Sequence, residues 1–119
     1  MTDDEIKQLE TDLFSDLSPA QIALKQTELK TQFITLYGNI DMAIDRLSKV
    51  NRIEANIRPL EFVAQKLLEL KDLVRDSLVD SYDTRSYVEN MIILQRQMAI
   101  FSTLTNILDE LGKANETSE

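Results

Sequence analysis

Residues 19–58 contain the strongest pattern in the chain, and they read PAQIALKQTELKTQFITLYGNIDMAIDRLSKVNRIEANIR. Apolar side chains recur there at the spacing of the a and d positions of a coiled coil, over about five heptads. One set is Ile22, Leu29, Leu36, Ala43, Val50 and Ile57, and the other is Phe33, Ile40 and Leu47. Ser18, Pro19 and Gln21 form the start signal of a helix, with a capping box and a proline at the first position.

A helix over residues 19–58 would be a rod about 60 Å long, and such a rod cannot bury its own apolar seam. We therefore predict a partner interface along it, formed by Leu29, Phe33, Leu36, Ile40, Ala43, Leu47 and Val50. Tyr37, Ile44 and Ile53 lie at the flanking e and g positions, which widens the apolar face. A bundle of three or more helices fits this width better than a two-stranded coiled coil.

Other segments read as helices on either side of this rod. Thr2 and Glu5 have the spacing of a capping box, which predicts a short acidic helix or docking segment over residues 1–17. Pro59 interrupts the heptad register and predicts a kink or a helix boundary. The next segment carries one apolar stripe, which comprises Leu60, Val63, Leu67, Leu70, Val74 and Leu78. Residues 80–86 read as the best candidate loop. Ser86 and Glu89 offer another capping box there, although Asp83 or Thr84 could cap the following helix instead.

The last predicted helix runs from that loop to Leu111, where Gly112 reads as its end and residues 112–119 as a disordered polar tail. It carries two apolar stripes and so needs several neighbours. The second stripe contains Ile93, Ile100, Leu104, Ile107 and Leu111. We predict that another chain covers this stripe, or that the helix of residues 19–58 folds back over it.

Composition agrees with an all-α fold, because two glycines and two prolines among 119 residues are too few for many strand connections. The predicted architecture is an elongated helical bundle or coiled coil of three to four helices. Cysteine and histidine are absent, which excludes disulfides, thiolate nucleophiles and Cys/His metal sites. No apolar run reaches the 18 or so residues of a membrane span.

The net charge of −8 is concentrated at the two ends of the chain. Residues 1–17 contain six acids and one lysine, whereas residues 18–79 are nearly neutral. Because no basic stripe is present, we expect no direct binding of nucleic acid and no insertion into membranes. The acidic N-terminus is unlike a signal peptide, so a cytoplasmic or nuclear location is expected.

Carboxylates are the remaining candidates for chemistry. Asp41 with Asp45, and Asp72 with Asp76, could each project two acids from one helix face. The neighbouring Arg46, Lys49 and Arg75 favour ordinary ion pairs instead. We therefore expect no enzyme activity, no metal and no cofactor.

The chain is similar to small helical subunits of kinetochore, dynactin-like and vesicle-tethering complexes, because it too carries heptads on a long helix. This similarity implies a non-catalytic scaffold subunit that assembles with other helical proteins into a hetero-oligomer. The alternative is a self-contained four-helix adaptor that docks on a protein partner through residues 1–17. Within that segment Asp12–Leu17 mixes acidic and bulky apolar residues, as short docking motifs do.

Overall fold

The computed structural model describes residues 2–79 and 82–117, which form an elongated all-α bundle 58 Å long and 25 Å by 24 Å across. Its helices are Asp3–Phe14 (α1), Pro19–Ser48 (α2), Ile57–Val79 (α3) and Tyr87–Thr117 (α4). A 3₁₀ turn, Tyr82–Thr84, lies between α3 and α4. The described ranges contain no strand. The predicted fold class is confirmed. Helix α3 begins at Ile57, close to the boundary predicted at Pro59. Of the loop predicted over residues 80–86, residues 82–86 lie outside α3 and α4, whereas residues 80 and 81 lie outside the described ranges.

Side-chain caps start the helices at the predicted places. Thr2 accepts the Glu5 N–H, Ser18 accepts the Gln21 N–H, and Ser86 accepts the Glu89 N–H, each at 3.2 Å. At α2 the capping box is complete, because the Gln21 side chain also accepts the Ser18 N–H at 2.8 Å. These bonds satisfy backbone donors that the first helical turn leaves free.

The predicted end of α2 at Arg58 is wrong, because the helix stops at Ser48 and the chain reverses over residues 49–56. Asn56 organises this reversal. Its buried side chain accepts the Ile53 N–H at 2.8 Å and donates to the Asn51 carbonyl at 3.1 Å. Pro59 lies in the first turn of α3, where its missing N–H costs no helical hydrogen bond.

The reversal lets one chain bury its own seams. The stripe of α3 faces inward, with Leu60, Val63, Leu67, Leu70 and Val74 buried and Leu78 partly buried. These side chains share one core with the heptad residues of α2 and with Leu94, Leu104 and Leu108 of α4. Burying each large apolar side chain contributes about 1.5–3 kcal/mol, so closing the core within the chain is strongly favoured.

The predicted helix end at Leu111 is also wrong, because α4 continues through Gly112 to Thr117. Gly112 does not adopt the left-handed backbone conformation that ends many helices. Inside a helix a glycine costs only about 1 kcal/mol relative to alanine, which α4 tolerates. The predicted polar tail therefore starts within α4, and its last two residues, 118 and 119, lie outside the described ranges.

Candidate interaction surface

The residues predicted to face a partner along α2 lie inside the bundle. Leu29, Phe33, Leu36, Ile40, Ala43 and Leu47 are all buried, and Val50 is partly buried against the same core. The surrounding helices α3 and α4 belong to the same chain. In this conformation the α2 seam is covered, so another protein could reach it only if the bundle opened.

The predicted stripe of α4 divides between the core and the surface. Leu104 is buried, whereas Ile93, Ile107 and Leu111 are partly buried against the core. Ile100 stands apart, because 47% of its surface remains exposed. The α4 stripe is therefore the part of the predicted interface that still reaches the outside of the molecule.

A groove of about 500 Å³ runs between α3 and α4 beside Ile100. Its floor is apolar and includes Leu70 and Leu104. Phe62 and Leu73 of α3 line it as well, and they are 51% and 53% exposed. Three large apolar side chains thus surround one concave surface while about half of each remains in water.

The charges at this groove cancel. Lys66 and Glu69 both line it, and the Lys66 ammonium lies 3.3 Å from the Glu69 carboxylate. The same ammonium is 5.7 Å from the centre of the Phe62 ring, in a cation–π contact. A locally neutral rim around an apolar floor is typical of surfaces that bind other proteins.

Sequence reasoning missed Phe62 and Leu73, because both lie outside the stripe that fills the core. They are eleven positions apart along α3, about three helical turns, and therefore share one face of the helix. That spacing was visible in the sequence. The signal that they line a groove is the α4 stripe, whose Ile100 and Ile107 form the opposite wall.

The carboxylates considered for chemistry form ion pairs on the surface. Asp41 binds Lys71 at 2.7 Å and Asp45 binds Lys49 at 3.0 Å. Arg75 lies 3.5 Å from both Asp72 and Asp76, as its position predicted, whereas Arg46 pairs with Asp109 of α4. The Asp41 hydrogen bond, more than any other cause, raises the pKa of Lys71 above its usual range. Within the described ranges no three acidic side chains are grouped as a metal site would require.

The N-terminal helix α1 contacts the start of α4 and contains no buried residue. The Glu10 carboxylate accepts the backbone N–H of Tyr87 at 2.7 Å, and the Phe14 and Tyr87 rings are 5.3 Å apart. Leu9 and Leu13 remain 43% and 44% exposed beside these contacts. The segment predicted as a docking element therefore rests on its own bundle through a small contact.

A polar cluster joins α2, α3 and α4 near the 3₁₀ turn. Arg85 donates to the Ser77 carbonyl and to the Asn90 side chain, both at 2.7 Å. Asn90 donates to the Tyr82 carbonyl at 3.1 Å, and the Tyr82 hydroxyl donates to the Gln26 carbonyl at 2.5 Å. Burial raises the pKa of Tyr82. These bonds hold the 3₁₀ turn and Arg85 against the three helices, and they give the cluster a structural role.

Comparisons with protein-family models, with curated proteins and with solved structures gave no match to this chain. Among the helices that the structure describes, none has the combination of length and apolar character needed to cross a bilayer.

Proposed function

We propose that the chain is a non-catalytic structural subunit of a hetero-oligomeric helical complex, and that its α3/α4 groove binds a helix of another protein. The observation that carries this proposal is the set of half-exposed apolar side chains at the groove: Phe62, Leu73 and Ile100. Such side chains gathered at one concave surface are uncommon on isolated proteins and common at binding sites.

The dimensions of the groove favour an amphipathic helix as its occupant. From Phe62 to Leu73 the α3 wall extends about 16 Å, which is the length of three helical turns. A helix with apolar residues at positions i, i+4, i+7 and i+11 would place its anchors along that length. Burying the exposed halves of the three groove side chains is worth about 2–4 kcal/mol.

Charge sets a second requirement on the partner. Because Lys66 and Glu69 neutralise each other at the groove, the bound face of the partner should be apolar and uncharged. Acidic groups elsewhere give the chain its net charge of −8. Their long-range attraction should speed the association of partners that carry a net positive charge.

Affinity purification with quantitative mass spectrometry tests the proposal. Leu73→Asp combined with Ile100→Asp places two charges in the groove, and we expect it to reduce partner recovery more than about tenfold. Ile34→Asp combined with Leu68→Asp is the matched control, because both side chains lie outside the groove and are 56% and 53% exposed. Equal partner recovery with the groove variant and the unchanged protein would refute the proposal.

The second candidate is the adaptor, which binds its partner through α1. The exposure of Leu9 and Leu13 favours it, because a small shift of α1 would offer both leucines to another protein. Leu9→Asp combined with Leu13→Asp separates the two functions. This variant should abolish partner recovery if α1 is the docking element, and it should leave recovery unchanged if the α3/α4 groove is the site.

A further inference from the structure

A polar cavity of about 330 Å³ opens beside the 3₁₀ turn, separate from the α3/α4 groove. Helix α2, the turn and the start of α4 all contribute to its lining. The polar and charged side chains of the lining are Gln26, Thr27, Lys30, Asp83, Arg85 and Asn90. Two of them are cations and one is an acid, so the cavity is locally positive in a chain whose net charge is −8.

Arg85 is partly buried, and its structural bonds use only part of its guanidinium. Nε donates to the Asn90 side chain and Nη2 donates to the Ser77 carbonyl, both at 2.7 Å. Because a guanidinium has five N–H groups, three of them have no acceptor among the described residues. Arg85 also forms no ion pair with a described carboxylate. Buried charges are normally paired, so this guanidinium retains the capacity to bind an anion.

Lys30 supplies the second cation from α2. Its ammonium lies 5.4 Å from the centre of the Tyr82 ring, in a cation–π contact. The ring is fixed in turn, because the Tyr82 hydroxyl donates to the Gln26 carbonyl. Among the residues that the structure describes, no carboxylate pairs with Lys30. An unpaired ammonium is thus held beside the turn that precedes Arg85.

Unused hydrogen-bond donors are plentiful around the cavity. Asn90 donates one of its two amide hydrogens to the Tyr82 carbonyl and keeps the other. Together with the three N–H groups of Arg85 and the ammonium of Lys30, these donors exceed what the two oxygens of a carboxylate accept. A phosphate monoester, with its three acceptor oxygens and a charge near −2, matches them better.

We propose that this cavity binds a phosphate group, carried either by a small phosphate ester or by a phosphorylated side chain of another protein. The free N–H groups of Arg85 hold the phosphate oxygens, and Lys30 balances the second negative charge. Asp83 opposes binding, because it is the acid in the lining. Glu10 does not line the cavity, and its carboxylate accepts the Tyr87 N–H. The proposal does not depend on the α3/α4 groove.

Nuclear magnetic resonance of the isotope-labelled, full-length chain tests the proposal, with inorganic phosphate as the probe. Phosphate replaces chloride at constant pH and constant ionic strength, so that general screening stays the same. We expect saturable shifts confined to residues 26–30 and 82–90, and to the Nε–H signal of Arg85. Shifts that grow without saturation, or that spread evenly over the chain, would overturn the proposal.

Two variants should change the phosphate affinity in opposite directions. Lys30→Gln removes a cation from the cavity and should weaken binding about tenfold. Asp83→Asn removes the opposing acid and should strengthen binding about threefold. Both side chains are exposed, so helicity by circular dichroism should stay unchanged. Lys25→Gln is the matched control, because Lys25 lies on α2 outside the cavity and its loss changes the net charge equally. The proposal fails if Lys25→Gln weakens binding as much as Lys30→Gln, or if Asp83→Asn weakens it.

Two further probes identify the source of the phosphate. Free phosphoserine represents a small ester, and a short phosphoserine peptide represents a phosphorylated protein. Equal affinity for the two assigns a small ester as the ligand, whereas a peptide affinity more than about tenfold higher assigns a phosphorylated protein. A peptide with unmodified serine that binds as tightly as the phosphorylated one would contradict the proposal.

Discussion

Glu10 and Tyr87 are 77 positions apart in the sequence, yet the Glu10 carboxylate accepts the Tyr87 backbone N–H at 2.7 Å. This bond places a negative charge at the N-terminus of α4, where the helix dipole stabilises it. Together with the Phe14–Tyr87 ring contact it holds α1 on the bundle. The attachment is small, because α1 buries none of its residues completely.

Glu10→Ala combined with Phe14→Ala should release α1 while the bundle stays folded. Loss of a helix cap costs about 1 kcal/mol, and Ser86 still caps α4 through the Glu89 N–H. Limited proteolysis should cut α1 faster in this variant, with little change in the urea midpoint of the whole chain. Leu9→Ala is the control, since Leu9 lies on α1 outside both of these contacts and is 43% exposed. Unchanged proteolysis of α1 would show that other contacts hold it.

A second prediction concerns Gln97, which is buried between α3 and α4. Its amide nitrogen donates to the Ser77 hydroxyl at 3.0 Å, whereas its carbonyl oxygen has no hydrogen-bond partner among the described residues. Gln97→Met removes that oxygen and leaves Ser77 bonded to the Leu73 carbonyl at 2.8 Å. We expect urea denaturation to show a gain of about 1 kcal/mol.

Ser77→Ala is the opposing variant to Gln97→Met. It removes the acceptor of the Gln97 amide and leaves a buried donor unpaired, which should cost about 1–3 kcal/mol. The interpretation of this pair is wrong if Gln97→Met destabilises the protein as much as Ser77→Ala does.

High pH should weaken the fold through two groups. The pKa of Tyr82 is raised by burial, and that of Lys71 by its hydrogen bond to Asp41. The folded state therefore holds both protons more tightly than the unfolded state. The contribution of these two groups to the free energy of unfolding is complete below about pH 10. It is lost as the pH rises through their folded-state pKa values.

Urea denaturation at a series of alkaline pH values measures this loss directly. Tyr82→Phe removes the ionisable hydroxyl and keeps most of the buried ring, so stability should fall less steeply above about pH 10 in this variant. An equally steep fall in both proteins would mean that Tyr82 does not contribute.

How far the sequence predicts this fold differs from element to element. Ser18 and Ser86 mark helix starts correctly, because a cap depends on residues three positions away. The end of α2 was missed, because the heptads continue to Ile57 and give no sign of the hydrogen bonds by which Asn56 organises the reversal. Periodicity also shows which face of a helix is buried without showing whose helix buries it. Leu36 and Ile40 were for this reason predicted to face a partner, whereas in the structure they lie in the core of the chain itself.

The same limit applies to the candidate site. Ile100 and Ile107 were identified from the α4 stripe, and both line the α3/α4 groove. Phe62 and Leu73 were not identified from the sequence, because they line a groove only when α3 packs against α4.

Hydrogen–deuterium exchange of the purified chain, alone and with its recovered partner, tests the central claim most directly. The claim is that the seam of α2 closes within the chain, while the α3/α4 groove meets another protein. We predict slow exchange at residues 33–47 in the isolated chain. On partner binding, added protection should be confined to the groove walls, residues 62–73 and 100–107. Fast exchange across α2 in the isolated chain, slowed only by the partner, would contradict the account.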